Sequence, residues 1–468
     1  MRERTVHADR RMNDVEALMW NVEKDPFLSS SFGNITVLDR APDLDYLRAR
    51  LLQTASRIPR LHQRVAPGFG RVAPPSWQDD PDFDIDFHLR HVALPPPGSM
   101  RQLEHLACSL VADPFDRTRP LWEFTVVEGL ADGRAALIQK MHHTITDGEG
   151  GIRMSEQFID ITRQPPTIEV HELPRPADGD DEDSLLDAAR ESFGHSWRRG
   201  LGVLQRAASG AAQTAAHPAE LLGLGGEVTD LARSTVRQVT VTDRAHSTLW
   251  RDRSLRRQLE TLDVPFDEAK RAAKSVGASL NDLFVTAAVR GAATYHVAAG
   301  APVESLRMAM PVSTRRDGSA SGNSFVPTRV VLPADVADPV DHLLAVHELL
   351  SATKQEKVIG VVGAVAGLAN LLPTSVLVRF TRQQVETIDF TTSNVRAAPF
   401  DLYIAGAKLE ANYPIGPLAG TAWNLTMMSY RGTLHMGLHV DAGAVADPEG
   451  LRDAIALAHE ELITATGA

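Results

Sequence analysis

The residue types able to carry chemistry are concentrated in Leu137–Gly151, LIQKMHHTITDGEGG. An apolar run leads into His142-His143, and Asp147-Gly148 follow. Imidazole titrates near neutrality and can take a proton from a hydroxyl, an amine or a thiol. Composition alone gives about 0.006 matches to His-His-x-x-x-acid-Gly in such a chain, so the spacing carries information. Along an extended strand, Leu137, Gln139, Met141 and His143 share one face, and Ile138, Lys140 and His142 the other. Only one of the two histidines can face a given cavity. His143, at the strand end, is the candidate base, with His142 beside it. Asp147 can orient the segment through an arginine or through backbone contacts. Gly148, Gly150 and Gly151 permit unusual backbone angles and close approach of a substrate. Two oppositely facing histidines supply too few ligands for a metal, so none is expected.

The chain has no G-x-S-x-G elbow, phosphate-binding P-loop, G-x-G-x-x-G turn or H-E-x-x-H pair. Its one cysteine, Cys108, lies in an alanine- and leucine-rich helical pattern that reads as buried and structural. A base without a protein nucleophile favours direct attack by the substrate over a covalent acyl-enzyme. The net charge of −12 and the lack of a long basic run disfavour a nucleic-acid partner. A charged start without an apolar core is unlike a secretory signal, and a single cysteine suits a reducing compartment; a cytoplasmic location is expected.

Three regions position the motif. Residues 1–170 read as an α/β unit, with helices at Leu44–Ile58 (capped by Asp43 and stopped at Pro59) and Leu103–Ala112. Its strands fall at Phe83–Leu89, Trp122–Val127 and Ala135–Met141, the last two joined by a turn at Ala131-Asp132-Gly133. Residues 171–245 form a linker, first proline-rich and acidic, then helical. Residues 246–468 form a second unit, with helices at Phe266–Val276 and Leu283–Ala298 and a strand at Arg307–Val312. The uncharged stretch Val358–Val378 contains Asn370, Pro373 and three glycines, and reads as a buried or interfacial helix rather than a span.

HHTITDG resembles the HHxxxDG motif of coenzyme A-dependent acyltransferases and peptide condensation domains. Further blocks narrow the resemblance to the bacterial wax ester synthase/diacylglycerol acyltransferase family. These are Pro120-Leu121-Trp122-Glu123, similar to its PLW block, and Ser279-Leu280-Asn281-Asp282, similar to its ND block. Ile58–Leu61 and Phe83–His88 resemble its P-x-L and F-D-x-x-x-H features. Met310–Ser313, Gly322-Asn323 and Leu425–Asp441 resemble blocks of its second half. Two places depart from the pattern: Glu16 stands near an expected aspartate, and Asn394-Val395-Arg396-Ala397 replaces N-V-P-G.

The resemblance implies an α/β fold of two chloramphenicol acetyltransferase-like halves, with mixed sheets, flanking helices and a channel between them. It implies transfer of a long-chain acyl group from acyl-CoA to a fatty alcohol or diacylglycerol, giving wax ester or triacylglycerol. His143 would be the base, Asp147 mainly structural, and Asn281 and Asp282 supports of the site. Backbone N–H groups near Gly148 are candidate oxyanion donors. Pro120, Leu121 and Trp122 would support or bind substrate, although tryptophan at such a place is more often core. No cofactor is expected, coenzyme A entering as the acyl donor. Peripheral contact with the inner membrane or lipid inclusions is a further expectation. Two alternatives stay open: a carrier-dependent condensation enzyme and a non-catalytic lipid-binding relic of the fold.

Overall fold

A computed structural model describes residues 11–68, 74–146, 148–164, 167–168, 244–313, 325–355, 369–370 and 373–467. Asp147, Gly322-Asn323, linker residues 171–243 and most of Val358–Val378 lie outside the described residues.

In chain order the first elements are α1 (Asp14–Val22), β1 (Ser31–Leu38), α2 (Leu44–Arg57), β2 (Gln63–Ala66), β3 (Ser76–Asp79), α3 (Ile85–His88) and β4 (Leu89–Ala93). Then come α4 (Met100–Ala112), β5 (Trp122–Glu128), β6 (Ala135–His142) and α5 (Gly148–Ser155). After the linker follow β7 (Arg257–Pro265), α6 (Phe266–Ser275), α7 (Leu280–Ala298), β8 (Ser305–Ser313), β9 (Phe325–Pro333), α8 (Pro339–Gln355) and α9 (Thr374–Val385). The chain closes with β10 (Phe390–Arg396), β11 (Tyr403–Ile404), β12 (Ala407–Ile415), β13 (Trp423–Tyr430), β14 (Thr433–Asp441) and α10 (Pro448–Ala465).

Local chemistry sets many of these boundaries. Asp43 accepts the Tyr46 N–H to start α2, which stops at Ile58 before Pro59. Asn13 and Glu16 form a reciprocal capping box that opens α1. Glu16 is buried and faces Arg60 at 3.6 Å, so the longer acid fills its place in the structure. The β13–β14 hairpin turns through Arg431 and Gly432, both in the left-handed region at φ 47° and 82°. One expectation is corrected. The block Phe83–Leu89 is not a strand: Asp84 accepts the Asp86 N–H and starts the helical turn α3, and the strand follows at Leu89–Ala93.

Two mixed six-stranded sheets result, in the orders β11-β12-β1-β6-β5-β4 and β7-β14-β13-β10-β8-β9. The first is antiparallel except for β4 beside β5; in the second, β10 runs parallel to both β8 and β13. The inner strands of the first sheet are buried on both faces, while the edge strand β4 is largely exposed. Leu137 and Met141 face a cluster containing Trp20, Leu47 and Leu51, while Ala136 and Ile138 face α4. The second sheet sets Met308, Leu425 and Leu438 against Val289 of α7 and Ile455 of α10.

A boundary at residue 246 does not separate the two sheets. Strand β12, from the second half, pairs antiparallel with β1 through Gly33↔Ile415 to Leu38↔Leu409. Helix α4 lies on β7 in return, with Arg101 Nη1 2.5 Å from Glu260 and Thr261 donating to Glu104 at 2.6 Å. Where the sheets meet, a Cβ on Gly437 would stand 1.9 Å from the Pro414 carbonyl oxygen. Gly437→Ala is therefore expected to lower stability by about 1–3 kcal/mol, read as the denaturant midpoint of unfolding.

Candidate active site

Strand β6 ends at His142, and the chain turns there with the Ile145 N–H donating to the His142 carbonyl at 2.9 Å. The two histidines diverge, as strand alternation requires. His142 is 1% exposed and both its ring nitrogens are engaged. Its Nδ1 accepts the Thr144 N–H at 3.1 Å, with the Thr144 hydroxyl 2.7 Å away. Nε2 therefore carries the proton and donates to Glu23 Oε2 at 2.6 Å. The His143 N–H donates to the Ser30 carbonyl at 3.1 Å, and its half-buried ring lies 4.5 Å from the Phe32 ring.

Glu23 was not singled out in the sequence. Its Oε1 accepts the Ser29 hydroxyl at 2.9 Å and the Ser30 N–H at 3.1 Å. Arg117, 3.4 Å from Oε2, donates to the Trp20 carbonyl and covers the Trp20 ring at 3.8 Å. Burial pushes the Glu23 carboxyl up, but the hydrogen bonds it accepts from His142, Ser29 and Ser30 outweigh this and hold it below the usual carboxylate range. The available signal was the run Glu23-Lys24-Asp25 ahead of Pro26, which reads equally well as a solvated turn.

The blocks around the histidines interlock through backbone carbonyls. The His142 N–H donates to the Leu121 carbonyl at 3.0 Å. The Trp122 indole N–H donates to the Leu61 carbonyl at 2.8 Å. His88 Nδ1–H donates to the Trp122 carbonyl at 2.6 Å, its ring stacked on Trp122 at 4.6 Å. Burial pulls the His88 imidazole down to about 4, so it stays neutral. Pro120, Leu121 and Trp122 are all buried, and Trp122 supports the strand beside the histidines from within the core.

Helix α5 begins at Gly148, which sits against the second lobe: a Cβ there would stand 3.2 Å from Val395 Cγ2 on β10. One residue earlier, Asn394 donates to Asn281 Oδ1 at 3.4 Å. The ND block thus stands beside the strand that meets the start of α5. Its two residues divide the work. Asn281 reaches β10, whereas Asp282 is buried and closes a capping box with Ser279 while accepting His347 Nδ1–H at 2.7 Å. Arg396, in the block that departs from the resemblance, is exposed at the end of β10. The remaining motif residue, Asp147, lies outside the described residues. Cys108 is buried in the α4 core, and burial raises its thiol to about 12.

Two mixed sheets joined by an exchanged strand make a two-lobed α/β fold of the kind that condensation domains also have. The chain belongs to the wax ester synthase/diacylglycerol acyltransferase family. The model of that family's catalytic domain matches residues 12–284, and the model of its C-terminal domain matches residues 321–462. A Mycobacterium tuberculosis protein named as a diacylglycerol O-acyltransferase is 33% identical, covering 97% of this chain and 92% of its own length. Another from that organism, also named as a diacylglycerol O-acyltransferase, is 28% identical over 92% of each chain. Among solved structures, the wax ester synthase/diacylglycerol acyltransferase of Marinobacter aquaeolei VT8 matches with a TM-score of 0.64 at 21% identity, covering 98% of this chain and all of that one. A starter condensation domain of rhizomide synthetase matches with a TM-score of 0.59 at 12% identity, covering 98% and 95%.

Asp282→Ala removes the carboxylate half of the capping box and the hydrogen bond that His347 Nδ1 makes to it. It is expected to cost about 1–3 kcal/mol of stability, while turnover per folded molecule, measured below the unfolding temperature, stays near that of the parent.

Proposed function

We propose that this acyltransferase moves a long-chain acyl group from acyl-CoA to the hydroxyl of a fatty alcohol or diacylglycerol, with His143 as general base. The observation that carries this reading is the division between the histidines. His142 is committed through both nitrogens to Glu23 and Thr144, so His143 is the imidazole of the pair suited to exchanging a proton with substrate. As the acceptor oxygen bonds to the thioester carbonyl carbon, its proton passes to His143. The collapsing intermediate breaks the C–S bond, and the coenzyme A thiolate leaves or takes that proton back. Backbone N–H groups at the start of α5 stand close enough in sequence to serve as oxyanion donors, each typically worth about 3–4 kcal/mol.

The acyl-enzyme route lacks support. A buried thiol held at about 12 makes Cys108 a poor nucleophile. Acyl-CoA as donor is supported by the matching condensation domain, whose structure is a complex with C8-CoA. The relatives' names support a diacylglycerol acceptor. Long-chain substrates partition into lipid, and α9 exposes Val376 and Phe380. Transient contact with a membrane or lipid inclusion belongs to the same proposal. No helix among the described residues is long and apolar enough to cross a membrane.

Release of coenzyme A across a panel of alcohols and glycerides tests the reaction. Turnover is expected with free acyl-CoA and no carrier protein; an absolute need for a carrier-bound acyl group would transfer the chain to the condensation class. His143→Ala is expected to lower kcat about 10²–10⁴-fold with the unfolding midpoint unchanged. His142→Ala is expected to keep more activity but lose about 1–3 kcal/mol of stability, because Glu23 Oε2 loses its shortest donor and the Thr144 N–H its acceptor. Equal rates for the two alanine variants would overturn the assignment. Incubation with acyl-CoA alone is expected to leave the intact mass of the protein unchanged, and initial rates to follow sequential rather than ping-pong kinetics.

A further inference from the structure

We infer that Glu23 is the positioning residue of this active site, a carboxylate that ties together the two strands on which His143 is held. The inference rests on the reading of His143 as base and adds a residue that the sequence motifs omit.

Four groups converge on one side chain. Oε2 accepts His142 Nε2–H at 2.6 Å and lies 3.4 Å from Arg117. Oε1 accepts the Ser29 hydroxyl at 2.9 Å and the Ser30 N–H at 3.1 Å. Ser30 then accepts the His143 N–H on its carbonyl at 3.1 Å. The carboxylate thus grips the residue before the base through its ring, and the residue opposite the base through its backbone. His142 extends the grip past the base, because its Nδ1 accepts the Thr144 N–H. The backbone of residue 143 is bracketed by bonds at 142, 144 and Ser30, all three leading directly or through one residue to Glu23.

The surroundings fit positioning rather than proton transfer. Glu23 is mostly covered, its side chain 15% exposed, and its oxygens point at protein donors. Trp20 and Phe115 stand edge-on to His142 at 6.4 and 6.2 Å, which blocks sliding of the imidazole. Arg117, pinned on Trp20, holds the charge balance of the carboxylate. The carboxylate oxygens accept from every side, so an amide cannot replace them: an NH2 group would face either His142 Nε2–H or the Ser30 N–H. A displacement of about 1 Å at a reacting group can cost on the order of 10²-fold in rate.

The test compares Glu23→Gln, Glu23→Asp and His143→Ala in the full chain, using acyl-CoA and a long-chain alcohol. Glu23→Gln is expected to lower kcat about 10–100-fold, as a displacement of the base by a fraction of an ångström to about 1 Å would. KM for acyl-CoA should stay within about twofold, since no substrate contact is removed. Glu23→Asp, whose shorter stem reaches the imidazole or Ser30 but not both, should fall between, about 3–10-fold down. It carries the test alone if the glutamine variant does not fold. In protein labelled with ¹⁵N at histidine, the His142 signal, assigned by its loss in His142→Ala and so distinguished from the similarly bonded His342, should show a protected Nε2–H with an unprotonated Nδ1, shifted in both Glu23 variants. A kcat within about twofold of the parent in either folded Glu23 variant overturns the proposal. An inactive His143→Ala beside a fully active Glu23→Gln sinks the positioning role alone, whereas an active His143→Ala sinks the base itself.

Discussion

A single charge-assisted hydrogen bond, from His142 Nε2–H to Glu23 at 2.6 Å, anchors the end of the strand that presents His143. It spans 119 residues of sequence and links the segment before β1 to the end of β6. Between these anchors, β1 and β6 pair from Ser31↔His142 to Leu38↔Ala135, so the bond sits at the open end of an antiparallel ladder. Ladder ends fray because nothing continues the pairing. Here the Ser30 carbonyl adds one further bond to His143, and the carboxylate locks both chains beyond it.

The second lobe supplies what the first cannot. Strand β12 completes the first sheet beside β1, while β10 of the second sheet brings Val395 against Gly148. One half therefore both extends the sheet carrying the histidines and closes over the turn that follows them. The near-contact between Gly437 and Pro414 fixes the spacing of the two sheets at backbone level, where no side chain can relax to change it. Polar pairs extend this junction: Tyr413 donates to Asp263 at 3.1 Å, and His435 Nδ1 lies 2.7 Å from the same carboxylate. A hinge between rigid halves is hard to reconcile with a strand exchanged between them.

What the sequence made legible was local. Periodicity placed α2, α4, α6, α7 and β8 to within a few residues, with the Asp43 cap fixing the start of α2, while α4 and α7 begin three residues earlier than their apolar spacing suggests, at the Ser99 and Ser279 caps. The split between His142 and His143 was legible because it follows from the two-residue period of a strand. Three features were not. Glu23 acts across 119 residues, so no spacing rule points to it. The exchange of β12 depends on pairing with β1 some 375 residues away (Val37↔Ala411 is one such pair), and nothing in its own alternation distinguishes one sheet from the other. Phe83–Leu89 read as a short strand between loops rich in proline and aspartate, but Asp84 captures the Asp86 N–H and starts a helical turn.

The same long-range chemistry explains why position 142 is a histidine at all. A buried pair between imidazole and carboxylate is a poor route to stability, since apolar residues of similar volume can do as well. An apolar side chain at 142 would leave the Thr144 N–H without an acceptor and take from Glu23 its shortest hydrogen bond, leaving Oε2 only the longer contact with Arg117. Lysine could meet Glu23 but has no acceptor for Thr144; glutamine could serve both but with free rotation about its amide stem. Imidazole alone combines a donor and an acceptor on opposite sides of a rigid ring, set here by Glu23 on one nitrogen and Thr144 on the other. The first histidine of the pair is thus a rigid strut between a distant carboxylate and the turn, and its neighbour inherits a fixed place from it.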